Sequence, residues 1–260
     1  MIIFRKLLVP LLCLSFGATS IIAANASSTL YAIDPAAQNL LSQMQTAYNA
    51  LNSLSEQVTA EESPNIAHSL AVHTSIKLLR PGYLEVSSDS KSARSGAEEV
   101  VTDGSHCYVF APQYPTRYLK YPVPATAQAV KSALSQRIAS SLTIGLFIDS
   151  TTVSTMFASS RLATLHLEKS AKINGTATHA VVVTDVDGVT LTLYIGDNDH
   201  LLRRVVALDP EKSGTFTETY ESVQENSSLS PSNFSFVAPP HTVPFYGTSF
   251  DQAIQDAPDK

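Results

Sequence analysis

Signatures of catalysis and metal binding are scarce in this sequence of 260 residues. It contains no G-x-S-x-G, no H-E-x-x-H and no paired-cysteine motif. Ser88 to Lys91 satisfies S-x-x-K, but this stretch is a polar turn region, and such a match is expected by chance in a serine-rich chain. None of the seven histidines has a second one at the i, i+4 spacing of a helical metal site. We therefore expect no catalysis, no metal and no cofactor.

Cysteine is rare, and basic residues are outnumbered by acidic ones. Besides Cys13, which lies in the N-terminal apolar run, the chain has only Cys107, so no internal disulfide is expected. A lone cysteine is usually a small buried apolar residue, with a redox or nucleophilic role as the alternative. The formal net charge is −6, and the basic residues are not clustered. We therefore expect no binding to nucleic acid or to an anionic membrane surface.

The N-terminal apolar run has the pattern of a secretory signal peptide. Two basic residues precede it, and small residues around Ala26 suit a signal peptidase. Proline, glycine and serine interrupt the run and no second one follows, so a membrane anchor is disfavoured. We predict that residues 1–26 are removed on export to the periplasm. Residues 27–250 are predicted to form one domain and 251–260 a loose tail.

The stretch from residue 174 to 223 has the pattern of a β-meander. Asp187-Gly188 predicts a hairpin turn, because glycine reaches the positive φ that such turns require. Alternation within the middle run places Leu191, Leu193 and Ile195 on one apolar face. The aspartates at the turns could also suggest calcium, but no acidic residue follows at the spacing of a calcium loop, so turn chemistry is favoured. The three strands are predicted at Val181–Val186, Val189–Ile195 and Leu201–Leu208.

The N-terminal half begins with a predicted helix, from Asp34 to about Asn52. Period-two alternation then directs Ile76 and Leu78 to one face of a strand. Two residues beyond Leu78, the same alternation places Arg80 on this face. An arginine directed at an apolar face is costly unless it finds partners. Arg80 either has such partners or lies at the strand end with its guanidinium in water, and the pattern leaves both open.

Further elements complete an α+β pattern. Tyr108 and Phe110 share one face of a short strand, opposite Cys107. A second helix is predicted at 126–142, and a short one around Val153, Met156 and Phe157. The order helix, strands, helices, strands indicates an antiparallel sheet covered on one side. A complete cover gives a plain core, whereas an incomplete cover leaves a pocket for acyl chains or an apolar peptide.

Several motifs carry a resemblance to a known family. Leu78–Tyr83 resembles the strand-ending Arg-Pro motif of the periplasmic lipoprotein carriers (LolA and its relatives). Val100–Pro112 is similar to their aspartate-glycine hairpin with its aromatic-proline strand, and Phe234–Pro240 to their closing strand. Ala32–Ala36 and Ile173–Gly175 resemble a family of predicted periplasmic proteins of unknown function that shares the carrier fold.

The resemblance implies an α+β fold: an incomplete, strongly curved antiparallel β-barrel with helices forming a lid over an apolar cavity. It also implies that Arg80 is a lid latch and that the ligand is an acyl chain, a lipid or a lipoprotein. We expect a monomer without catalytic activity. The cavity wall is predicted to contain Ile76, Leu78, Tyr108, Phe110, Leu191, Leu193 and Ile195.

Three points stay open at this stage. An envelope sensor or scaffold that acts through protein–protein contacts is the alternative function. An enzyme of an unrecognised class is the third, and it requires a serine or Cys107 near a histidine. Arg203 and Arg204 fall on opposite faces of their strand, so one of them points inward unless the strand ends or bulges there.

Overall fold

A computed structural model describes residues 32–62, 72–90, 98–111, 114–123, 142–209 and 214–246. The predicted signal peptide and the predicted tail lie outside these ranges, as does almost all of the helix predicted at 126–142. The described residues contain thirteen strands in one sheet and three α-helices. None of these helices is long and apolar enough to cross a membrane.

The helices are α1 (Pro35–Ala50), α2 (Leu142–Ile148) and α3 (Thr152–Met156). The first seven strands are β1 (Ala32–Ile33), β2 (Ser53–Glu62), β3 (Val72–Leu79), β4 (Tyr83–Ser90), β5 (Glu98–Asp103), β6 (His106–Phe110) and β7 (Arg117–Pro122). The remaining strands are β8 (Leu162–Ile173), β9 (Thr176–Asp185), β10 (Thr190–Gly196), β11 (Leu202–Asp209), β12 (Gly214–Glu225) and β13 (Val243–Phe245).

The sheet consists of two antiparallel meanders, β2–β7 and β8–β12, joined through the antiparallel pair β12–β2. The short strands β1 and β13 pair in parallel with β8 and β7 and form the two edges. The predicted meander of β9, β10 and β11 is confirmed. Its first hairpin closes as expected, with Gly188 at φ 85° and the Asp185 carboxylate accepting from the backbone N–H groups of Asp187 and Val189 at 2.9 Å.

The sheet is strongly curved and remains open. Leu119 of β7 and Leu165 of β8 lie near its opposite edges, yet both belong to one buried apolar cluster that also contains helix residues. Open sheets of more than about ten strands rarely stay uncurled, because the twist between successive strands accumulates. We call the face that carries this cluster the inner face and the opposite one the outer face. The predicted fold class, an incomplete and mostly antiparallel barrel with helices, is confirmed.

Helix α1 forms as the sequence predicts. The Asp34 carboxylate caps its first turn by accepting from the backbone N–H of Ala36 at 2.8 Å, and Pro35 begins the helix. The helix ends at Ala50, because Leu51 is extended at φ −75° and ψ 135°. Its apolar stripe is buried on the inner face and consists of Ala37, Leu40, Leu41, Met44 and Tyr48.

The expectation of a closing strand within Phe234–Pro240 is wrong. A 3₁₀ turn precedes this stretch, and the stretch itself has no strand pairing. Phe234 and Phe236 instead pack on the outer face, with ring centroids 5.6 Å from Tyr83 and 5.1 Å from Tyr108. Pro239 and Pro240 have no N–H to donate to a strand ladder. The last strand of the described chain is β13, which is shorter and lies later in the sequence.

Candidate functional site: the inner face and its helical cover

Residues 142–157, which we call the lid segment, lie over the inner face. They contain α2, with the sequence LTIGLFI, and α3. Ile144, Leu146 and Phe147 are buried in the common core. A helix of seven residues is too short to be stable alone, so its packing on the rest of the protein sustains it. Among the described residues, hydrogen bonds between two backbone groups of which one belongs to the lid segment have their other group in the lid segment too. Its polar connections to the sheet and to α1 therefore run through side chains.

Gln45 of α1 provides two of these connections. Its amide nitrogen donates to the carbonyl oxygen of Leu146 at 3.0 Å, and its amide oxygen accepts from the backbone N–H of Val153 at 3.0 Å. One buried side chain thus satisfies a backbone group in each of the two lid helices. Its loss would leave a buried acceptor and a buried donor without partners.

Arg80 provides the third connection, from the end of β3. Its Nε donates to the carbonyl oxygen of Leu51 at 2.8 Å, and a terminal nitrogen donates to that of Tyr48 at 3.2 Å. These carbonyls belong to the C-terminal end of α1, where the helix dipole favours a cation. The guanidinium carbon also lies 4.5 Å from the centroid of the Phe147 ring in α2. Burial lowers the pKa of Arg80, but an arginine remains charged at neutral pH.

Four of the predicted wall residues lie on the inner face and are fully buried in the core: Ile76, Leu78, Leu193 and Ile195. Leu191 is half-buried and borders a small recess beside α3. Direct cross-strand partners share a face of a sheet, and the partners of Ile76 and Leu78 are Val86 and Leu84, which are buried too.

Tyr108 and Phe110 are on the other side of the sheet, contrary to the predicted wall. Their strand neighbours Cys107 and Val109 point inward. Val109 is opposite Val100 on β5, and Val100 is opposite Val86 on β4, which lies on the inner face. On the outer face the Tyr108 hydroxyl donates to the Asp103 carboxylate at 3.0 Å. Burial, followed by this hydrogen bond, raises the pKa of Tyr108 to about 12.

Among the described residues, the buried side chains of the helices and of the inner face belong to one apolar cluster, with a small recess beside α3. The recess beside α3 has a volume of about 20 Å³, room for about one water molecule. It is lined by Met156, Phe157, Arg161, Leu162, Val183, Asp185, Val189 and Leu191. A ligand the size of an acyl chain does not fit into this recess unless the lid segment is displaced.

A carboxyl group lies buried beneath α2. Glu56 of β2 is between the inward-facing residues Leu54 and Val58, and only 1% of its surface is exposed. Its Oε2 accepts from the Thr143 hydroxyl of α2 at 2.8 Å, whereas its Oε1 is buried without a hydrogen-bond partner among the described residues. Burial raises the pKa of Glu56 to about 8. The group is therefore mostly protonated at neutral pH.

Further polar groups surround Glu56 on the inner face. Glu218 of β12 is also buried, and its carboxylate accepts from the Tyr220 hydroxyl at 3.2 Å. The charge of Glu218 raises the pKa of Glu56, while that of Arg203 lowers it. The hydroxyl of Tyr48, from α1, accepts from the backbone N–H of Leu202 at 3.2 Å. The apolar inner face thus has one polar cluster, formed by β2, β11, β12 and two helices.

A β-bulge interrupts strand β11 at the two adjacent arginines. Tyr194 pairs with Arg204 and Ile195 with Leu202, so Arg203 is the extra residue of the bulge. Arg204 lies on the outer face, where its Nε donates to the Thr219 hydroxyl at 3.2 Å. Arg203 is only 11% exposed and forms an ion pair with the Asp199 carboxylate.

Residues 37–245 match the model of the family described as "Predicted periplasmic protein (DUF2092)". The chain belongs to this family. The match covers most of the chain, including both meanders and the lid segment. No curated protein matches the DUF2092 chain.

Solved structures similar to this DUF2092 protein come from several bacteria. An uncharacterized conserved protein from Thermus thermophilus is 12% identical, with coverage of 81% of this chain and 99% of that one and a TM-score of 0.49. The MucA/MucB complex structure from Pseudomonas aeruginosa matches at 12% identity, 78% and 61% coverage and a TM-score of 0.45. The LolA superfamily protein NE2245 from Nitrosomonas europaea matches at 11% identity, 77% and 97% coverage and a TM-score of 0.40.

The DUF2092 chain also contains the nucleophile–base contact that an enzyme would require. The Ser170 hydroxyl is 3.3 Å from Nδ1 of His179, whose Nε2 is 3.5 Å from Oδ1 of Asp197. However, Ser170 and His179 are exposed, and neither lines the recess beside α3. Cys107 is buried on the inner face, away from solvent. The contact between Ser170 and His179 therefore lies outside the inner face and its helical cover.

Two important residues of the lidded site, Gln45 and Glu56, escaped sequence reasoning. For Glu56 a signal existed, because it occupies the same face as Leu54 and Val58 in the alternation of β2. A carboxyl in that position is either at a solvated edge or buried with partners. Gln45 follows Met44 at the border of the apolar stripe of α1. Nothing in the local sequence indicates that its partners are 101 and 108 residues away.

Proposed function

We propose that this DUF2092 protein is a periplasmic carrier-like binding protein whose inner face holds an acyl chain, from a lipid or a lipoprotein, when the lid segment is displaced. The observation that carries the proposal is the position of Arg80. Its guanidinium contacts the carbonyl end of α1 and the Phe147 ring of α2 from the end of an inner-face strand. This is the arrangement expected of a latch that holds helical cover over an apolar wall.

The lid segment is a better candidate for movement than α1. Helix α1 is joined to the sheet by backbone groups at its beginning, where the Asp34 N–H donates to the Leu165 carbonyl at 2.8 Å. Just past its end, the Arg80 N–H donates to the Asn52 carbonyl at 2.9 Å. The lid segment is held instead by side chains and apolar contact. Movement of the lid segment would break no strand pairing and would leave the sheet intact.

Displacement of the lid segment would expose apolar surface that an acyl chain can cover again. Each buried methylene contributes about 0.8 kcal/mol, so a twelve-carbon chain contributes on the order of 9 kcal/mol before costs. Lid displacement and ordering of the ligand reduce this figure. The net affinity therefore depends on how weakly the lid is held, which gives the latch a direct influence on binding.

The proposal is tested with the mature protein, purified gently and studied by native mass spectrometry and lipid extraction. We expect a bound lipid, or, after delipidation, micromolar binding of the uncharged apolar dye Nile red with increased amide hydrogen exchange in 142–157. A protein that arrives empty and also fails to bind the dye would exclude the carrier function.

A function through protein contacts is the second candidate, and exposed apolar side chains near the C-terminal edge favour it. Val237, Val243 and Tyr246 are 77%, 55% and 75% exposed. Val243 belongs to β13, the short edge strand of the sheet. Photo-crosslinkers placed at these three positions in an exporting cell test this candidate. A discrete crosslinked envelope protein would support it, and the absence of any adduct would reject it.

A further inference from the structure

Glu56 is the feature of the inner face that an acyl-binding function alone does not explain. A plain apolar wall would have an aliphatic residue at this position, like its neighbours Leu54 and Val58. A buried carboxyl is costly unless its oxygens are hydrogen-bonded. Among the described residues only one of them is, through the Thr143 hydroxyl. The unsatisfied atom, Oε1, is in the middle of a sheet face that is covered by a helix.

The partner of Oε2 belongs to the lid segment, whereas Glu56 itself belongs to the sheet. Displacement of α2 would remove Thr143 and leave both carboxyl oxygens on the exposed apolar wall. The carboxyl would then be a polar point on an otherwise apolar surface, adjacent to Ile76, its cross-strand partner on β3. Burial is what raises the pKa of Glu56, so the uncovered carboxyl would be ionised at pH 7 and could only accept hydrogen bonds. A ligand that covers this surface must then provide hydrogen-bond donors there or leave the carboxylate unsatisfied.

The charges around Glu56 favour one class of polar head group on an acyl-chain ligand. A second buried carboxyl, Glu218, is on the same face. The nearby cation, Arg203, is engaged by Asp199. Once uncovered, this part of the described chain therefore offers acceptor oxygens and negative charge to a ligand, and its cation Arg203 is already paired. A carboxylate or phosphate at this point would face repulsion and desolvation together.

We infer that Glu56 is a specificity-determining residue that selects amphiphiles whose polar part donates hydrogen bonds and carries no negative charge, such as an amine, an amide or a hydroxyl, over fatty acids. This inference rests on the proposed function, because it places the head at the inner face after lid displacement. The amide that joins an acyl chain to an amino group belongs to the favoured class.

The test uses three probes of equal chain length, dodecylamine, dodecanol and laurate, in competition with Nile red at pH 7. Because the three chains are equal in length, their apolar contributions to binding are equal. Differences in affinity therefore report on the polar head group. We expect the amine and the alcohol to bind at least about tenfold more tightly than laurate, the effect of one charge-assisted hydrogen bond. In Glu56→Gln, which can both donate and accept, this ratio should fall towards one.

The control is Glu61→Gln, an exposed position on the same strand, where the ratio should remain as in the wild type. Laurate binding as tightly as the amine in the wild type would overturn the inference, and that measurement needs no variant. An unchanged ratio in a folded Glu56→Gln protein would do so as well. In both cases Nile red binding leaves the carrier proposal standing. If Nile red itself does not bind, the carrier proposal fails and the inference fails with it.

Discussion

Arg80 connects three elements through one side chain, which is why its chemistry and not only its charge matters. The planar guanidinium donates to two carbonyl oxygens and at the same time lies over an aromatic ring. A lysine ammonium has neither the fork nor the flat surface. Arg80 can therefore form all of these contacts only when both α1 and α2 are packed in place.

Replacement of Arg80 by leucine should weaken the closed state. The loss of two hydrogen bonds from a charged donor should lower the free energy of unfolding by about 1–3 kcal/mol. Nile red should enter faster, in stopped-flow mixing, because the lid opens more often. Arg80→Lys should behave almost like Arg80→Leu. Arg204→Leu, which removes an outer-face arginine, is the matched control. Equal dye uptake in the wild type and Arg80→Leu would show that Arg80 is not a latch.

Glu56 should make stability depend on pH. Its pKa rises from an ordinary value near 4.5 to about 8 in the folded protein, so the folded state holds a proton that the unfolded state has released. Stability is therefore highest below pH 4.5 as far as this group is concerned and falls as pH rises to 8. The loss is at most about 1.4 kcal/mol per pH unit. Arg203 and Glu218 are the charged neighbours that modulate it, the first by lowering and the second by raising the pKa of Glu56.

The Glu56→Gln variant should remove this dependence. Urea unfolding at pH 5.5, 6.5 and 7.5 should give a shallower slope of stability against pH for the variant than for the wild type. Glu61→Gln should retain the wild-type slope, because its side chain is exposed. Parallel curves for the wild type and Glu56→Gln would mean that Glu56 is already ionised in the folded protein.

Alternation in the sequence correctly paired Tyr108 with Phe110 on one face but assigned that face to the wrong side of the sheet. A period of two tells which side chains lie together, not which side is inner. The side is set by pairing with β5, where Val100 is opposite Val109. Both faces of β6 carry apolar residues, since the C-terminal stretch packs its own aromatics on the outer one. The pattern therefore contained no local signal for the choice.

At the scale of elements, the turns and the short helix α3 were predictable, whereas α2 was not. Aspartate-glycine pairs identified the hairpins because they stabilise turns through local chemistry. The helix α2 continues through Gly145, which the sequence suggests as a break. It holds together through distant partners, such as Gln45 and Glu56, that no window of neighbouring residues can reveal. The Arg203 bulge is equally a product of pairing between strands.

The lid segment should lose protection against amide hydrogen exchange when Gln45 is replaced by alanine. The variant leaves the Leu146 carbonyl and the Val153 N–H without their partner, at a cost of about 1–3 kcal/mol for each buried group that water cannot reach. Amide hydrogen exchange in 142–157 should rise while that of β9 and β10 stays as in the wild type. Gln43→Ala, an exposed position of the same helix, should leave both regions unchanged. Equal loss of protection in sheet and lid would show that the lid does not open separately.

At the scale of the whole molecule, export is the first property to test. The full-length chain expressed in a Gram-negative host should yield a periplasmic protein without residues 1–26. Intact mass gives the cleavage site, and a thiol assay after denaturation should count one cysteine, Cys107, because Cys13 leaves with the signal peptide. A second thiol, or recovery of the uncleaved chain from the membrane fraction, would contradict the prediction.

The joint between the two meanders determines when this chain can fold. Strand β2 is made early, but its partner β12 comes much later in the chain, since Val223 pairs with Glu56, 167 residues before it. Contacts between such distant segments form slowly, because a long loop must first close. The sheet therefore cannot be completed before β12 has been made. A topology that places its first long strand beside its last long strand suits a chain that must remain extended until its transport is almost complete.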